Sequence, residues 1–135
     1  MKLLRVFPIL GVGDLPASLT FYQDILGFSV AWQWGTPPSR AGVASGAVEL
    51  QLLSDPRLRP AAPGRIYVHM TGIEAFYREV CARGGKIQEP LADRDWGMRD
   101  FRILDPSGNQ LGFAEPIPRP AASRHRAPGG KRKRA

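Results

Sequence analysis

The residues best able to hold a small molecule are aromatic, with a few polar companions. Phe7, Trp32, Trp34, Tyr67 and Trp96 offer flat ring faces, while Glu49, Arg65 and His69 offer a carboxylate, a guanidinium and an imidazole. Ring faces stack on other rings and attract cations. Strand alternation sorts these residues onto common faces. Val48, Leu50 and Leu52 alternate with Glu49 and Gln51, and Ile66, Val68 and Met70 alternate with Arg65, Tyr67 and His69. The apolar sets predict core faces, so the others point outward. Trp32 and Trp34, two positions apart, share one face of their strand. Leu10 and Val12 turn inward, leaving Phe7 and Ile9 outward, and Gly112 leaves space between inward Leu111 and Phe113. A concave surface of that mixture suits a flat ligand, partly cationic or heteroaromatic. For Trp32 and Trp34 the competing role is packing in a core or a dimer interface. His69 reads as a hydrogen-bonded groove residue rather than a catalytic base. Cys81, Tyr22 and Tyr77 read as buried packing. The sequence has no nucleophile–base signature, phosphate loop or Cys/His metal spacing.

The elements that must position these residues form two copies of one unit. A strand over 3–12 stops at Gly13-Asp14, and Asp14 is an N-cap with Pro16 in the first turn. Leu15, Leu19, Tyr22 and Leu26 recur at helical spacing, with Gly27 just past the helix end. Strands follow at 28–34, 40–45 and 47–53, then a Pro-rich connector over 54–64. The second copy has a strand at 65–70 and a helix over 73–83 ended by Gly84-Gly85. Strands follow at 86–90, 98–104 and 110–115. Both helices carry a Phe-Tyr pair, Phe21-Tyr22 and Phe76-Tyr77. The pattern is an α+β tandem of βαβββ modules, module one over 1–54 and module two over 64–116. Each is too small to bury much alone, so the two must pair through their sheets.

Charge divides the chain differently. All 12 acidic residues lie at or before Glu115. The formal net charge of +7 therefore belongs to Arg119, Arg124, Arg126 and the run Lys131–Arg134, and the body is neutral. Residues 117–135 lack apolar side chains to bury and read as a disordered basic tail. Such a tail gives at most weak, nonspecific, salt-sensitive contact with nucleic acid. No apolar run approaches the roughly 20 residues that span a bilayer, and the opening residues do not read as a secretory signal. With Cys81 as the single cysteine, the expected compartment is the cytoplasm.

Trp96-Gly97 leads into a strand, the turn Asp105-Pro106-Ser107-Gly108-Asn109, and a second strand ending near Phe113. In that turn Pro fixes φ, Gly and Asn tolerate positive φ, and the Asp side chain can bond turn amides. This segment resembles the closing hairpin of the vicinal-oxygen-chelate superfamily, the glyoxalase/bleomycin-resistance group in particular. Val12-Gly13-Asp14-Leu15, Ser18, Phe21-Tyr22 and Ile25-Leu26-Gly27-Phe28 are similar to its first strand–helix. Val6-Phe7-Pro8-Ile9-Leu10 is similar to the opening of bleomycin-binding proteins. The resemblance covers residues 4–116.

It implies a groove over the sheet faces, lined by Phe7, Trp32, Trp34, Glu49, Arg65, Tyr67, His69 and Gly112, with Trp96 at its mouth. It also implies a homodimer with two equivalent grooves. Metal-dependent members place four ligands at positions that correspond here to Phe7, Glu49, Arg65 and Gly112. One carboxylate cannot hold Zn, Ni or Fe, whose sites need about three protein donors. Neither a metal nor another cofactor is therefore expected. Arg65 is expected to approach Glu49 across the groove, its guanidinium supplying the positive charge of the missing metal. The leading expectation is a protein of the bleomycin-resistance type that sequesters an aromatic antibiotic or metabolite without chemistry. The alternative is a lyase, isomerase or dioxygenase on the same fold, which Phe7 and Gly112 disfavour. A neutral body with Arg65 in the groove fits poorly with a dedicated binder of cationic bleomycin.

Overall fold

The structure, a computed structural model, describes residues 1–118. Module one runs β1 (Ile9–Gly11), α1 (Leu15–Thr20), β2 (Ser29–Trp34), β3 (Arg40–Ser45) and β4 (Val48–Leu53). Module two runs β5 (Arg65–His69), α2 (Ile73–Ala82), β6 (Ile87–Asp93), β7 (Met98–Leu104) and β8 (Gln110–Pro116). The sheets have matching orders, β1-β4-β3-β2 and β5-β8-β7-β6. In each, the first strand pairs parallel to the fourth and the other pairings are antiparallel. This is the α+β tandem expected from the sequence.

Asp14 caps α1 by accepting from the Ala17 amide. The helix then widens into a π-helical turn over Phe21–Ile25 before Gly27 turns the chain at φ 78°. Leu15 and Tyr22 are buried against Leu10, Val43, Leu50 and Leu52. On α2 the buried residues are Ile73 and Val80, with Phe76 and Tyr77 packed beside Phe101 and Phe113. Cys81, expected among them, is exposed. It lies one position past Val80, about 100° further round the helix and off the inward stripe.

One continuous core joins the modules. Its polar seam centres on the 105–109 turn. Asp105 Oδ1 accepts from the Ser107 and Asn109 amides, and Oδ2 accepts from Asn109 Nδ2 and the Tyr22 hydroxyl. Asn109 also donates to the Gly11 carbonyl, and Ser107 accepts from the Gly13 amide. Burial, then the Asp105 charge, push the Tyr22 phenol far above its ordinary value of 10.0.

Three expected boundaries shift, and one is β6, expected at 86–90, which runs on to Asp93. Residues 3–8 precede β1 rather than belonging to it. Pro8 has no N–H for the ladder, and only its carbonyl pairs, accepting from the Gln51 amide. At the other end the Ile117 amide donates to the Gly97 carbonyl, so the ordered body reaches past 116. The rest of the expected basic tail, 119–135, lies outside the described residues. No helix among the described residues is long and apolar enough to cross a membrane.

Candidate functional site

The outward face of the first sheet carries Trp32, Trp34, Glu49 and Gln51, as alternation predicts. Register fixes how they meet. Trp32 sits opposite Gly42, and Gly42 opposite Gln51 on the next strand. The Trp32 indole lies across Gly42, where a Cβ would overlap the ring. Its Nε1 then reaches one strand further and donates to Glu49 Oε2 at 3.0 Å. Trp34 stays 68% exposed.

The second sheet repeats the device from its opposite edge. Tyr67 on β5 lies across Gly112 on β8, where a Cβ would stand 2.7 Å from the ring. Its hydroxyl donates at 2.6 Å to Asp100 Oδ2 on β7. Asp100 is fully buried, and its other oxygen accepts from Arg94 Nε, also at 2.6 Å. Trp96 Nε1 donates to the Tyr67 oxygen at 3.2 Å. Burial and the Asp100 hydrogen bond push the Tyr67 phenol above its ordinary value, so it remains a neutral donor. Each sheet thus holds an aromatic ring flat on its open face, bedded on a glycine and pinned by a carboxylate two strands away.

Tyr67, Trp96 and Gly112 come together in one chain, as do Trp32 and Glu49. Arg65 and His69 are exposed on the Tyr67 strand, where His69 meets the Tyr67 ring edge at 5.8 Å between centroids. Phe7 and Ile9 stand open beside the first sheet, Phe7 under the Arg5 guanidinium. Within one chain Arg65 and Glu49 do not pair. Arg65 Nε donates to Gln110 Oε1 on its own sheet, and Glu49 is engaged by Trp32. The two belong to different sheets of one chain, and each has a nearer partner.

Sequence reasoning missed Gly42, Arg94, Asp100 and Arg102. Sorting β7 by period two puts Met98, Asp100 and Arg102 on the face of Gly112, and that signal was available in the sequence. A cavity of about 730 Å³ lies elsewhere, where Leu26, Phe28 and Val48 of module one face Val68, Met70 and Phe76 of module two. Of the predicted site residues only His69 borders it. A single chain supplies open sheet faces, not an enclosed groove.

The four positions expected for metal ligands do not fit a metal. Phe7 and Gly112 bring no donor atom, Gly112 is covered by Tyr67, Glu49 is held by Trp32, and Arg65 is a cation. No three His, Cys, Asp or Glu side chains converge among the described residues.

This architecture matches known proteins. The family model of the Glyoxalase/Bleomycin resistance protein/Dioxygenase superfamily matches residues 3–113. The chain belongs to that superfamily. A bleomycin resistance protein of Geobacillus stearothermophilus is 28% identical over 141 residues, covering 85% of this chain and 98% of that protein. Two solved structures of the superfamily fold align at TM-score 0.72. TioX from Micromonospora sp. ML1 is 18% identical and covers 82% of this chain and 97% of its own. TnmS3, an antibiotic binding protein from Streptomyces sp. CB03234, is 22% identical and covers 86% and 98%. At such identities these two establish the fold alone.

Proposed function

We propose that the protein captures a small aromatic molecule and holds it by stacking, with no metal and no bond made or broken. The observation that carries this reading is the pair of rings bedded on Gly42 and Gly112. Their hydrogen bonds to Glu49 and Asp100 fix them before any ligand arrives, which lowers the ordering cost of binding. The bleomycin resistance relatives and the antibiotic-binding neighbour support a small-molecule, antibiotic-like ligand.

The grooves would form between two copies, the first sheet of one facing the second sheet of the other. Trp34, Tyr67, Trp96 and Ile9 are 68%, 44%, 50% and 49% exposed in a single chain. Apolar surface on this scale is normally covered. Stoichiometric capture in the cytoplasm would protect a target from the ligand without turnover.

The test is a fluorescence titration of the three tryptophans with bleomycin and other aromatic antibiotics, alongside sedimentation and elemental analysis. Saturable quenching at one ligand per groove, by a metal-free dimer, is expected. A monomer at micromolar concentration would remove the shared groove. A stoichiometric transition metal, or conversion of the ligand, would move the protein to the lyase and isomerase side of its superfamily.

A further inference from the structure

Arg102 is placed like a binding residue, and its one ion pair, with Asp100, is long and not hydrogen-bonded. It stands opposite Gly112 in the β7–β8 register, so its side chain shares the face on which Tyr67 lies across Gly112. Its Nη2 is 3.9 Å from Asp100 Oδ2, beyond hydrogen-bond range. That oxygen is already taken by Tyr67 and the other by Arg94. Glu89, its register partner on β6, forms no ion pair with it, and among the described residues no other carboxylate comes within 4.0 Å. The side chain is only 27% exposed. A guanidinium carries five N–H donors, and partial burial without acceptors is costly. Arg94 and Asp100 neutralise each other, so Arg102 and exposed Arg65 leave this face positive even with Glu89 nearby.

We propose that Arg102 is the anion-recognising residue of the groove, and that the ligand is a flat aromatic bearing a carboxylate or a comparable planar anion. The inference rests on the aromatic-capture reading above and narrows it. The guanidinium fork matches a carboxylate in two parallel hydrogen bonds. The adjoining Tyr67 and Trp96 rings offer the stacking surface for the remainder of such a molecule. A cation placed beside the Arg102 guanidinium would meet a like charge.

Three naphthalene probes of one shape separate the possibilities: 2-naphthoate, 2-naphthamide and 2-naphthylmethylammonium, each titrated against tryptophan fluorescence. Naphthoate is expected to bind about tenfold or more tightly than the amide, the scale of a charged hydrogen bond, with the ammonium weakest. Arg102→Gln should abolish the preference for naphthoate, weakening naphthoate far more than the amide. Arg102→Lys, which keeps the charge but loses the fork, should retain part of it. Equal binding of naphthoate and amide, or a preference that survives Arg102→Gln, overturns the proposal while aromatic capture stands. If Arg102→Gln does not fold, the wild-type ranking and Arg102→Lys decide. Failure of all three probes to bind at millimolar concentration overturns aromatic capture, and the proposal with it.

Discussion

Tyr67 crosses Gly112 so closely that a Cβ on the glycine would stand 2.7 Å from its ring. The glycine is needed for room, since its neighbours Leu111 and Phe113 point into the core. Gly112→Ala is therefore expected to lift the phenol off Asp100 and cost about 1–3 kcal/mol, the usual scale of overpacking. Gly42→Ala should do the same to Trp32, with a shift in tryptophan emission as the indole leaves Glu49. Urea melts of both variants measure the cost. Unchanged emission in Gly42→Ala would show that the indole does not depend on the glycine.

Arg94 and Asp100 form the ion pair beneath Tyr67. Arg94→Met strands a fully buried carboxylate and should destabilise by up to about 3–5 kcal/mol. Adding Asp100→Asn removes the stranded charge and should recover part of that loss. A double-mutant cycle by denaturant unfolding measures the coupling, and strict additivity would show the two residues act independently.

Trp96 is half exposed and holds only the Tyr67 oxygen. Trp96→Ala should spare the fold and weaken a stacked ligand by about 1–3 kcal/mol, by analogy with stacked bases. Affinity for 2-naphthoate reports the effect, and no change would place the ligand elsewhere.

The Tyr22 phenol supplies an alkaline limit. Its folded value is raised well above the unfolded 10.0. Below pH 10 both states keep the proton, so this contribution is fully present. Above pH 10 the unfolded chain ionises first and binds fewer protons, so stability falls as pH rises toward the folded value. Tyr22→Phe should lose about 1–2 kcal/mol near neutrality, where the bond to Asp105 is gone, and should fall less steeply between pH 10 and 11. Parallel melts across that range would show it, and identical alkaline slopes would exclude Tyr22 as the source.

Much of this was legible because burial imposes a period. Leu50 and Leu52 against Glu49 and Gln51, or Val68 against Tyr67 and His69, fix the faces of their strands wherever they pair. The turn at Asp105–Asn109 was legible because its chemistry is local. Contacts set by register were not. Nothing adjacent in sequence connects Trp32 with Gly42 or Tyr67 with Asp100, because each meeting depends on how the strands are aligned. The strand assigned to residues 3–12 lost its first part, 3–8, because an apolar run suggests pairing that Pro8 cannot complete. The Arg65–Glu49 expectation rested on opposite charges at corresponding positions; the nearer partners Gln110 and Trp32, which engage them within one chain, were not legible because they too depend on register.

The seam between the modules has a consequence for how the chain is made. Tyr22 waits for Asp105, 83 residues later, and the Gly11 carbonyl waits for Asn109, 98 residues later. At about 5–20 residues per second, synthesis leaves module one unfinished for about 4–20 s. Throughout that interval Leu10, Val12 and Tyr22 have no second half to pack on. The nascent protein is then most open to chaperones and to mispairing with a neighbouring copy, and emergence of the final hairpin ends the exposure.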